Sequence, residues 1–303
     1  MIAHLNPDAD SLGSASAMYS HLLRLQKKVT LFCATEKINP SLTFLPWFDK
    51  MRHQFPVSAD LAISLDCGSV SRLGVEMECD LINIDHHISN EAYGMINTVD
   101  TAAISTTQVL YDLFNAEGIK INPKMATALY AGLLDDSSCF TSAKTDAKTF
   151  EMASDLHRCG ADIALCSSSL VQTVSLAAMR LKGWMLQNAA LSCNGRLVST
   201  LVPQSIMDAT GAKPSDCEAA LEESLFLPTV EVALMLRENR DGSVKGSIRG
   251  DGKINLSELA KTYGGGGHPH SAGFRIENIA LEDAEKTIID YFHNIFMKVD
   301  PRS

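Results

Sequence analysis

The chain has 303 residues, of which 46% are hydrophobic and 20% charged, and its formal net charge is −10. That length allows two domains with separate cores, and the composition is that of a globular protein. The acidic balance argues against a broad basic surface for long duplex DNA. No signal peptide is recognisable and no apolar run approaches the ~20 residues that span a bilayer, so we expect a cytoplasmic protein without a membrane partner.

The first motif, His4-x-x-x-Asp8-x-Asp10, lies near the start of the chain. Small residues after it predict a helix over residues 13–28. One histidine and two aspartates would then lie at a helix amino terminus, where anionic side chains are stabilised. Helix capping accounts for one aspartate but not for the second or for His4. So few residues precede His4 that the first strand is either very short or incomplete.

Apolar runs at residues 29–33, 61–66 and 81–84 predict buried strands. The second run ends in Asp66, and a carboxylate at the end of a buried strand is costly unless it is paired or bound to a metal. The third run leads into Asp85-His86-His87. Successive side chains of a strand face opposite ways, so the chain must turn there to bring these three together. The carboxyl edge of an open α/β sheet is where ligands bind.

Two helices follow the strand region, and the second ends in a pair of carboxylates. Residues 105–116 have a helical period, and Asn122-Pro123 is a good helix start. The helix that begins there ends at Asp135-Asp136. Because two carboxylates at a helix carboxyl terminus oppose the helix dipole, a positive group such as a metal ion should compensate them. The alternation of strands and helices predicts an α/β fold with a doubly wound, mainly parallel sheet.

The last third of the chain predicts a second, smaller α/β domain. A helical pattern connects the two parts over residues 171–190. The elements expected beyond it are strands at 196–202, 229–237 and 243–249, with a hairpin turn at Asp241-Gly242, and helices at 256–263 and 281–296. We therefore expect a first domain at 1–165, a helical linker at 166–192 and a second domain at 193–303; the family resemblance given below implies a catalytic role for the first domain and a substrate-binding role for the second.

A glycine run in the second domain predicts a phosphate contact. The residues expected to bind substrate are Gly265, Gly266, Gly267, His268 and Arg249. Glycines let the backbone approach a phosphate closely and offer amide donors, and the planar fork of an arginine can take two phosphate oxygens. The alternatives are a flexible linker for the run and a surface position for Arg249.

The first domain offers more metal-competent side chains than one ion needs. They are His4, Asp8, Asp10, Asp66, His86 and Asp136. Mixed carboxylate and imidazole donors suit Mn²⁺, Zn²⁺ or Fe²⁺ better than Ca²⁺. The set predicts two ions about 3.5–4 Å apart that share an aspartate and a water, lower the pKa of that water and stabilise charge on a phosphoryl group. The alternative is an unrelated collection of surface acids and core histidines.

The chain resembles the DHH phosphoesterase family in four motifs that follow one another in the family's order. They are His4-x-x-x-Asp8-x-Asp10, Asp66, Asp85-His86-His87 and Asp136. The glycine run followed by Ala272-Gly273 is similar to the signature of that family's DHHA1 domain. Length and domain pairing most resemble the NrnA-type members, which degrade short oligoribonucleotides to mononucleotides and dephosphorylate 3′-phosphoadenosine-5′-phosphate (pAp). The resemblance covers nearly the whole chain.

The resemblance implies a role for each motif residue. One Mn²⁺ would be bound by His4 and Asp8, a second by Asp10, His86 and Asp136, with Asp66 as the bridge. Mn²⁺ is the expected ion, with Mg²⁺, Co²⁺ or Fe²⁺ as alternatives. His87 would contact the scissile phosphate and assist protonation of the leaving group, and Asp85 would orient a histidine. Relatives often have Thr-Asp-Thr-Gly where this chain has Asp135-Asp136-Ser137-Ser138, so Asp135 remains an alternative ligand.

Other activities share some of these motifs. One is hydrolysis of linear or cyclic dinucleotides such as pApA or pGpG. A second is a RecJ-like single-strand exonuclease, which the acidic charge disfavours. A family-II pyrophosphatase has the metal motifs, but its second domain lacks the glycine run. A nucleotide-binding regulator is the non-enzymatic alternative. The expected partners are short oligonucleotides or a nucleotide 3′,5′-bisphosphate, and a homodimer is left open.

Overall fold

Each half of the chain is built on its own β-sheet. The computed structural model describes residues 1–299, with side chains described as far as residue 297. Contacts divide the chain into one unit, Met1–Thr173, and a second unit that begins at Val174. Among the described residues, no helix has the length and apolar character needed to cross a bilayer.

The sheet of the first unit is parallel, as the sequence predicts. Its strands are β1 (Ile2–Ala3), β2 (Leu31–Phe32), β3 (Met51–Arg52), β4 (Leu61–Leu65), β5 (Asp80–Asp85) and β6 (Ile96–Val99). Within the described residues they pair in the order β3-β2-β1-β4-β5-β6, and every pairing is parallel. Strand order reverses direction between β1 and β4, which is the switch point where doubly wound sheets bind ligands. The expected α/β class is confirmed.

The helices of the first unit begin at side-chain caps. They are α1 (Ala9–Arg24), α2 (Thr106–Ala116), α3 (Pro123–Asp136), α4 (Ala147–Arg158) and α5 (Ile163–Leu170). The helix predicted over 13–28 starts earlier, because the Asp8 carboxylate accepts a hydrogen bond from the Ser11 amide and so caps α1; it ends at Arg24. Helices α1 and α3 pack closely, since a side chain at Gly13 would overlap the Ala128 carbonyl.

The second unit has a mixed sheet between two helical layers. Its strands are β7 (Ala190–Ser192), β8 (Leu197–Val202), β9 (Val232–Glu238), β10 (Val244–Gly250), β11 (Gly266–His268) and β12 (Ser271–Ile276), in the order β11-β12-β10-β9-β8-β7. Its helices are α6 (Leu176–Gln187), α7 (Gln204–Thr210), α8 (Cys217–Ser224), α9 (Leu256–Thr262) and α10 (Leu281–Val299). Apolar side chains of α6 to α8 pack on one face of the sheet, and those of α9 and α10 pack on the other.

The structure corrects the expected connecting helix. Instead of spanning 171–190, the helix is α6, and its last residue is Gln187. Ala190 to Ser192 form an edge strand, in which Leu191 pairs with Val198. Pairing with β8 overrides the helical pattern of the sequence, because the strand gains backbone hydrogen bonds that an isolated helix end lacks. The predicted domain boundaries stay predictions.

Candidate active site

Three neighbouring strands deliver polar side chains to one edge of the first sheet. His4 follows β1, Asp66 follows β4 and Asp85 ends β5, and these strands are adjacent and parallel. His4 and Asp66 are almost fully buried, with 1% and 2% of their surface exposed. The backbone of Asp66 has a φ of 58°, in the left-handed region that a non-glycine residue rarely occupies. Such local strain is typical of functional residues.

Helices α1 and α3 supply the remaining carboxylates. Asp8 caps α1, Asp10 lies in its first turn, and Asp136 is the last residue of α3. A Cβ at Gly132 would lie only 2.5 Å from Asp10 Oδ1, so the missing side chain of this glycine makes room for the carboxylate. The site therefore depends on close packing of α1 against α3.

The side chains form overlapping groups of three ligand atoms. Each group lies within 4.8 Å, and the groups are His4, Asp8 and Asp66; Asp10, His86 and Asp136; and Asp66, His86 and His87. Asp66 Oδ2 is 3.4 Å from His4 Nε2, whereas Asp66 Oδ1 is 3.6 Å from His86 Nε2. The two oxygens of Asp66 thus face two different histidines, as a bridging carboxylate requires.

Backbone carbonyls orient both of these histidines. His4 Nδ1 is 2.8 Å from the Leu5 carbonyl, and His86 Nδ1 is 3.3 Å from the Ala103 carbonyl. A proton on Nδ1 that is donated to a carbonyl leaves Nε2 free to bind a cation. Arg72 Nη2 also lies 2.9 Å from His4 Nδ1, and this contact competes with the Leu5 hydrogen bond for the same nitrogen.

Burial and mutual repulsion raise the pKa values of Asp10, Asp66 and Asp136. Burial, reinforced by the charge of Asp136, raises the pKa of Asp10 to about 7. Burial and the charge of Asp10 likewise raise the pKa of Asp66. Burial alone would lower the pKa of His86, but its hydrogen bond to Asp136 and the charge of Asp10 raise it to about 9. The site therefore concentrates negative charge, which bound protons and the amide hydrogen bonds from Thr106 and Thr107 offset in part.

This arrangement fits divalent cations. Repulsion between buried carboxylates is relieved when a cation binds between them and displaces their protons. The donors are carboxylate oxygens and imidazole nitrogens, a mixture found around transition ions rather than in all-oxygen calcium sites. His4, Asp8 and Asp66 could hold one ion, while Asp10, His86 and Asp136 could hold a second.

Asp85 holds His87 rather than facing the ligand groups. Asp85 Oδ1 lies 2.7 Å from His87 Nδ1 and also accepts the His86 amide hydrogen bond at 2.8 Å. Asn90 donates to Asp85 Oδ2 at 2.5 Å. Burial opposes ionisation of Asp85, but the hydrogen bonds from His87 and Asn90 hold its pKa below the usual value. An ionised Asp85 keeps a proton on His87 Nδ1 and leaves Nε2 available.

The two aspartates at the end of α3 have different partners. Asp136 Oδ2 lies 3.2 Å from His86 Nε2. Asp135 Oδ2 instead accepts a hydrogen bond from the Ala9 amide at 3.0 Å. Asp135 therefore joins α3 to the start of α1, and Asp136 is the one whose oxygen lies in a ligand group.

The residues expected to bind substrate lie in the second unit. Arg249 is on β10, and its Nη2 lies 2.6 Å from Glu218 Oε2. The glycine run is not a flexible linker, because Gly266 to His268 form β11 and pair with β12. A side chain at Gly267 would overlap the Ser271 carbonyl, so close strand packing requires glycine there. Gly265 lies just before β11.

Several residues at the site were not singled out in the sequence. The Thr106 and Thr107 amides donate to Asp10 at 2.7 and 2.9 Å, and the Thr106 hydroxyl donates to Asp66 at 3.0 Å. Arg72 and Asn90 contact His4 and Asp85, as described above. Ser105-Thr106-Thr107 is recognisable as a helix start, which attracts carboxylates, but the sequence does not say which carboxylate lies there.

Two family models match the chain. The DHH family, N-terminal domain, matches residues 1–133. The DHHA1 domain matches residues 197–295. The first match includes the motif residues from His4 to His87 and ends before Asp135 and Asp136. The second match includes the whole glycine run.

The chain is similar to two NrnA enzymes over nearly its full length. It is 30% identical over 291 residues to the bifunctional oligoribonuclease and PAP phosphatase NrnA of Thermus thermophilus, which covers 95% of this chain and 86% of that protein. It is 27% identical to the enzyme of the same name in Bacillus subtilis, covering 95% of this chain and 91% of that one.

A solved structure has the same fold. The exopolyphosphatase-related protein from Bacteroides fragilis superposes with a TM-score of 0.86 and 21% identity, covering 96% of this chain and 91% of that one. At that level of identity the match supports the fold alone.

Proposed function

The chain belongs to the DHH phosphoesterase family with a DHHA1 domain, and we propose that it degrades short oligoribonucleotides to mononucleotides and dephosphorylates pAp. The observation that carries the proposal is the placement of Asp66 between His4 and His86, one carboxylate oxygen toward each. The similarity to two NrnA enzymes across 95% of the chain supports the substrate class.

We assign the metal ligands from the geometry of the first unit. One ion would be held by His4, Asp8 and Asp66, and the other by Asp10, His86 and Asp136, with Asp66 shared. We propose Mn²⁺ for both, because imidazole and carboxylate donors occur together here. Two bound cations would lower the pKa of water and offset charge on the phosphoryl group under attack.

The chain's own residues would position the substrate and move one proton. His87, held by Asp85 through Nδ1, would place Nε2 against the scissile phosphate; as an imidazolium with a proton on each nitrogen it would give the Nε2 proton to the leaving oxygen and keep the Nδ1 proton in its hydrogen bond to Asp85. The amides of Thr106 and Thr107 would keep Asp10 in place when cations bind and the carboxylates release their protons. In the second unit, Arg249, Gly265, Gly266, Gly267 and His268 would bind the rest of the nucleotide.

The test is a substrate panel with purified protein and Mn²⁺. It contains pAp, di- to pentanucleotides, pApA, pGpG, a 24-mer and inorganic pyrophosphate. We expect mononucleotides from the short oligonucleotides, phosphate from pAp, and little turnover of the 24-mer or pyrophosphate. Faster turnover of pApA and pGpG than of pAp and other dinucleotides would point to a dedicated dinucleotide hydrolase instead.

A pair of variants distinguishes hydrolysis at the proposed site from hydrolysis by a contaminating enzyme. Asp66→Ala removes the shared carboxylate and should reduce all Mn²⁺-dependent turnover to background. Asp60→Ala removes an exposed aspartate just before β4 and should retain wild-type turnover. Unchanged hydrolysis in Asp66→Ala would refute the proposed function. Binding of pAp without turnover in the wild-type protein would favour a regulator.

A further inference from the structure

Arg72 brings a permanent positive charge to the edge of the carboxylate site in the first unit. It lies in the short 3₁₀ helix Val70–Leu73, which follows the loop after β4. The Leu5 amide donates a hydrogen bond to the Arg72 carbonyl at 2.8 Å, and the neighbouring side chain of Leu73 is fully buried. The backbone therefore holds Arg72 beside the segment that carries His4.

The guanidinium of Arg72 lies against the imidazole ring of His4. Arg72 Nη2 is 2.9 Å from His4 Nδ1 and 3.4 Å from His4 Nε2. The bonding directions of the two ring nitrogens diverge, so an atom close to both lies against the ring rather than in line with either nitrogen. The contact is therefore a poorly aligned hydrogen bond for a side chain that offers five N–H donors.

Arg72 loses this partner when His4 acts as a ligand. If Nε2 of His4 binds a cation, Nδ1 carries the proton that is donated to the Leu5 carbonyl, and a guanidinium has no acceptor atom for that proton. The positive charge of Arg72 would then lie beside a cation, which is unfavourable without an anion nearby. Within residues 1–297, Arg72 has no ion pair with a carboxylate that could supply this anion.

Arg72 acts on the side of the site that solvent can reach. The side chain of Asp8 is 48% exposed, whereas that of Asp66 is 3% exposed. Burial raises the pKa of Asp8, but His4 and the charge of Arg72 hold it below its usual value. Arg72 is itself exposed, and its charge therefore lies next to the open side of the site, where an anionic substrate can approach it.

We propose that Arg72 binds a non-bridging oxygen of the phosphate that is hydrolysed and stabilises the charge on it during the displacement. The inference rests on the proposed function, since it places a phosphate ester beside His4. The bond from phosphorus to the water oxygen forms, the ester P–O bond breaks, and the leaving oxygen takes its proton from His87, while Arg72 exchanges no proton. A guanidinium suits this role, because its planar fork matches phosphate oxygens and offsets their negative charge.

The first measurement is kcat/KM for pAp and for a dinucleotide at saturating Mn²⁺. Arg72→Ala should lower it at least about 100-fold, the usual cost of removing a donor from an oxygen that gains charge in the transition state. Arg72→Lys keeps the charge but loses the planar fork, and should fall between Arg72→Ala and wild type. Arg158→Ala is the matched control. It removes an arginine from the last turn of α4, where Arg158 pairs with Asp155, and should retain wild-type turnover.

Binding of Mn²⁺ distinguishes contact with phosphate from mere support of His4, and calorimetry measures it without turnover. If Arg72 acts on phosphate, the Kd for Mn²⁺ should be unchanged or lower in Arg72→Ala, because a positive charge beside a ligand has been removed. If Arg72 only orients His4, the Kd should instead rise about tenfold or more, as it does when a ligand loses the partner that orients it. Such a rise would overturn the inference.

Binding of inorganic phosphate separates failure of this inference from failure of the proposed function. If wild-type protein hydrolyses neither pAp nor the dinucleotide, the proposed function fails, but calorimetry of phosphate with the Mn²⁺-loaded protein still tests Arg72. Arg72→Ala should raise the Kd for phosphate about tenfold, because charge-assisted hydrogen bonds are lost. An unchanged Kd for phosphate, or wild-type turnover in folded Arg72→Ala, would overturn the inference.

Discussion

Asp136 Oδ2 lies 3.2 Å from His86 Nε2, and this contact joins the carboxyl end of α3 to the turn after β5. The two residues are 50 positions apart in the sequence, and both belong to the ligand group that also contains Asp10. The adjacent Asp135 bonds the Ala9 amide instead. The contact thus separates Asp136, the ligand expected from the sequence, from Asp135, the alternative that the sequence left open.

Asp136→Asn and Asp135→Asn should therefore differ in activity. The first removes a charged ligand atom, and we expect Mn²⁺-dependent turnover of pAp to fall at least about 100-fold. The second keeps an oxygen that can accept the Ala9 hydrogen bond, and we expect a loss below about tenfold. Phosphate release at saturating Mn²⁺ measures both. A loss in Asp135→Asn as large as that in Asp136→Asn would contradict this assignment, since it would mean that the site needs both carboxylates.

Stabilisation by metal should grow with pH. Because the pKa of Asp10 is raised to about 7 from 3.8, the metal-free fold is favoured when Asp10 is protonated. That contribution is fully present below about pH 4 and is lost as pH rises through about 7, which amounts to a few kcal/mol. Mn²⁺ also binds more tightly as its ligands lose protons.

The measurement is the Tm with Mn²⁺ minus the Tm with chelator at pH 5.5, 7 and 8. We expect this difference to increase with pH in the wild-type protein and to vanish in Asp66→Ala, which lacks the shared ligand. A difference that stays constant across the three pH values would show that proton release from the carboxylates does not accompany metal binding.

Gly132→Ala should displace the Asp10 carboxylate, although Gly132 is not itself a candidate ligand. The added Cβ would lie 2.5 Å from both Asp10 Oδ1 and Thr107 Cγ2, so the carboxylate must move. We expect a loss of about 1–3 kcal/mol in the free energy of unfolding and weaker metal binding. Gly183→Ala in α6 meets nothing within 4 Å and should instead stabilise the protein by about 0.5–1 kcal/mol. Denaturant unfolding compares them, and the prediction fails if both variants are stabilised.

Asp85→Asn should slow turnover without emptying the metal site. The change weakens the 2.7 Å contact that fixes His87 Nδ1, so His87 would no longer hold its proton reliably on Nδ1. We expect kcat for pAp to fall about 10–100-fold with little change in KM. Asp80→Asn, at the exposed start of the same strand, is the control and should behave as wild type. Loss of Mn²⁺ binding in Asp85→Asn would assign Asp85 to the ligand set.

Local patterns were sufficient for much of the fold. The capping residues Asn122 and Asn255 begin α3 and α9 where the sequence predicts them, because a cap is satisfied within one turn. The short strand β6 and the helices α7 and α8 were not predicted. Strand β6 is too short for a clear period, and its existence depends on pairing with β5.

The sequence by itself determined which side chains gather at the carboxyl edge of the first sheet. Their position after apolar runs and at helix ends is a local property, and parallel strands bring such positions together. Only the tertiary structure decided the direction of each side chain. Asp135 and Asp136 differ by about 100° around α3, and packing against α1 selects which one reaches His86. Arg72 meets His4 because the Leu5 amide bonds the Arg72 carbonyl, a pairing between distant segments that cannot be read from either segment alone.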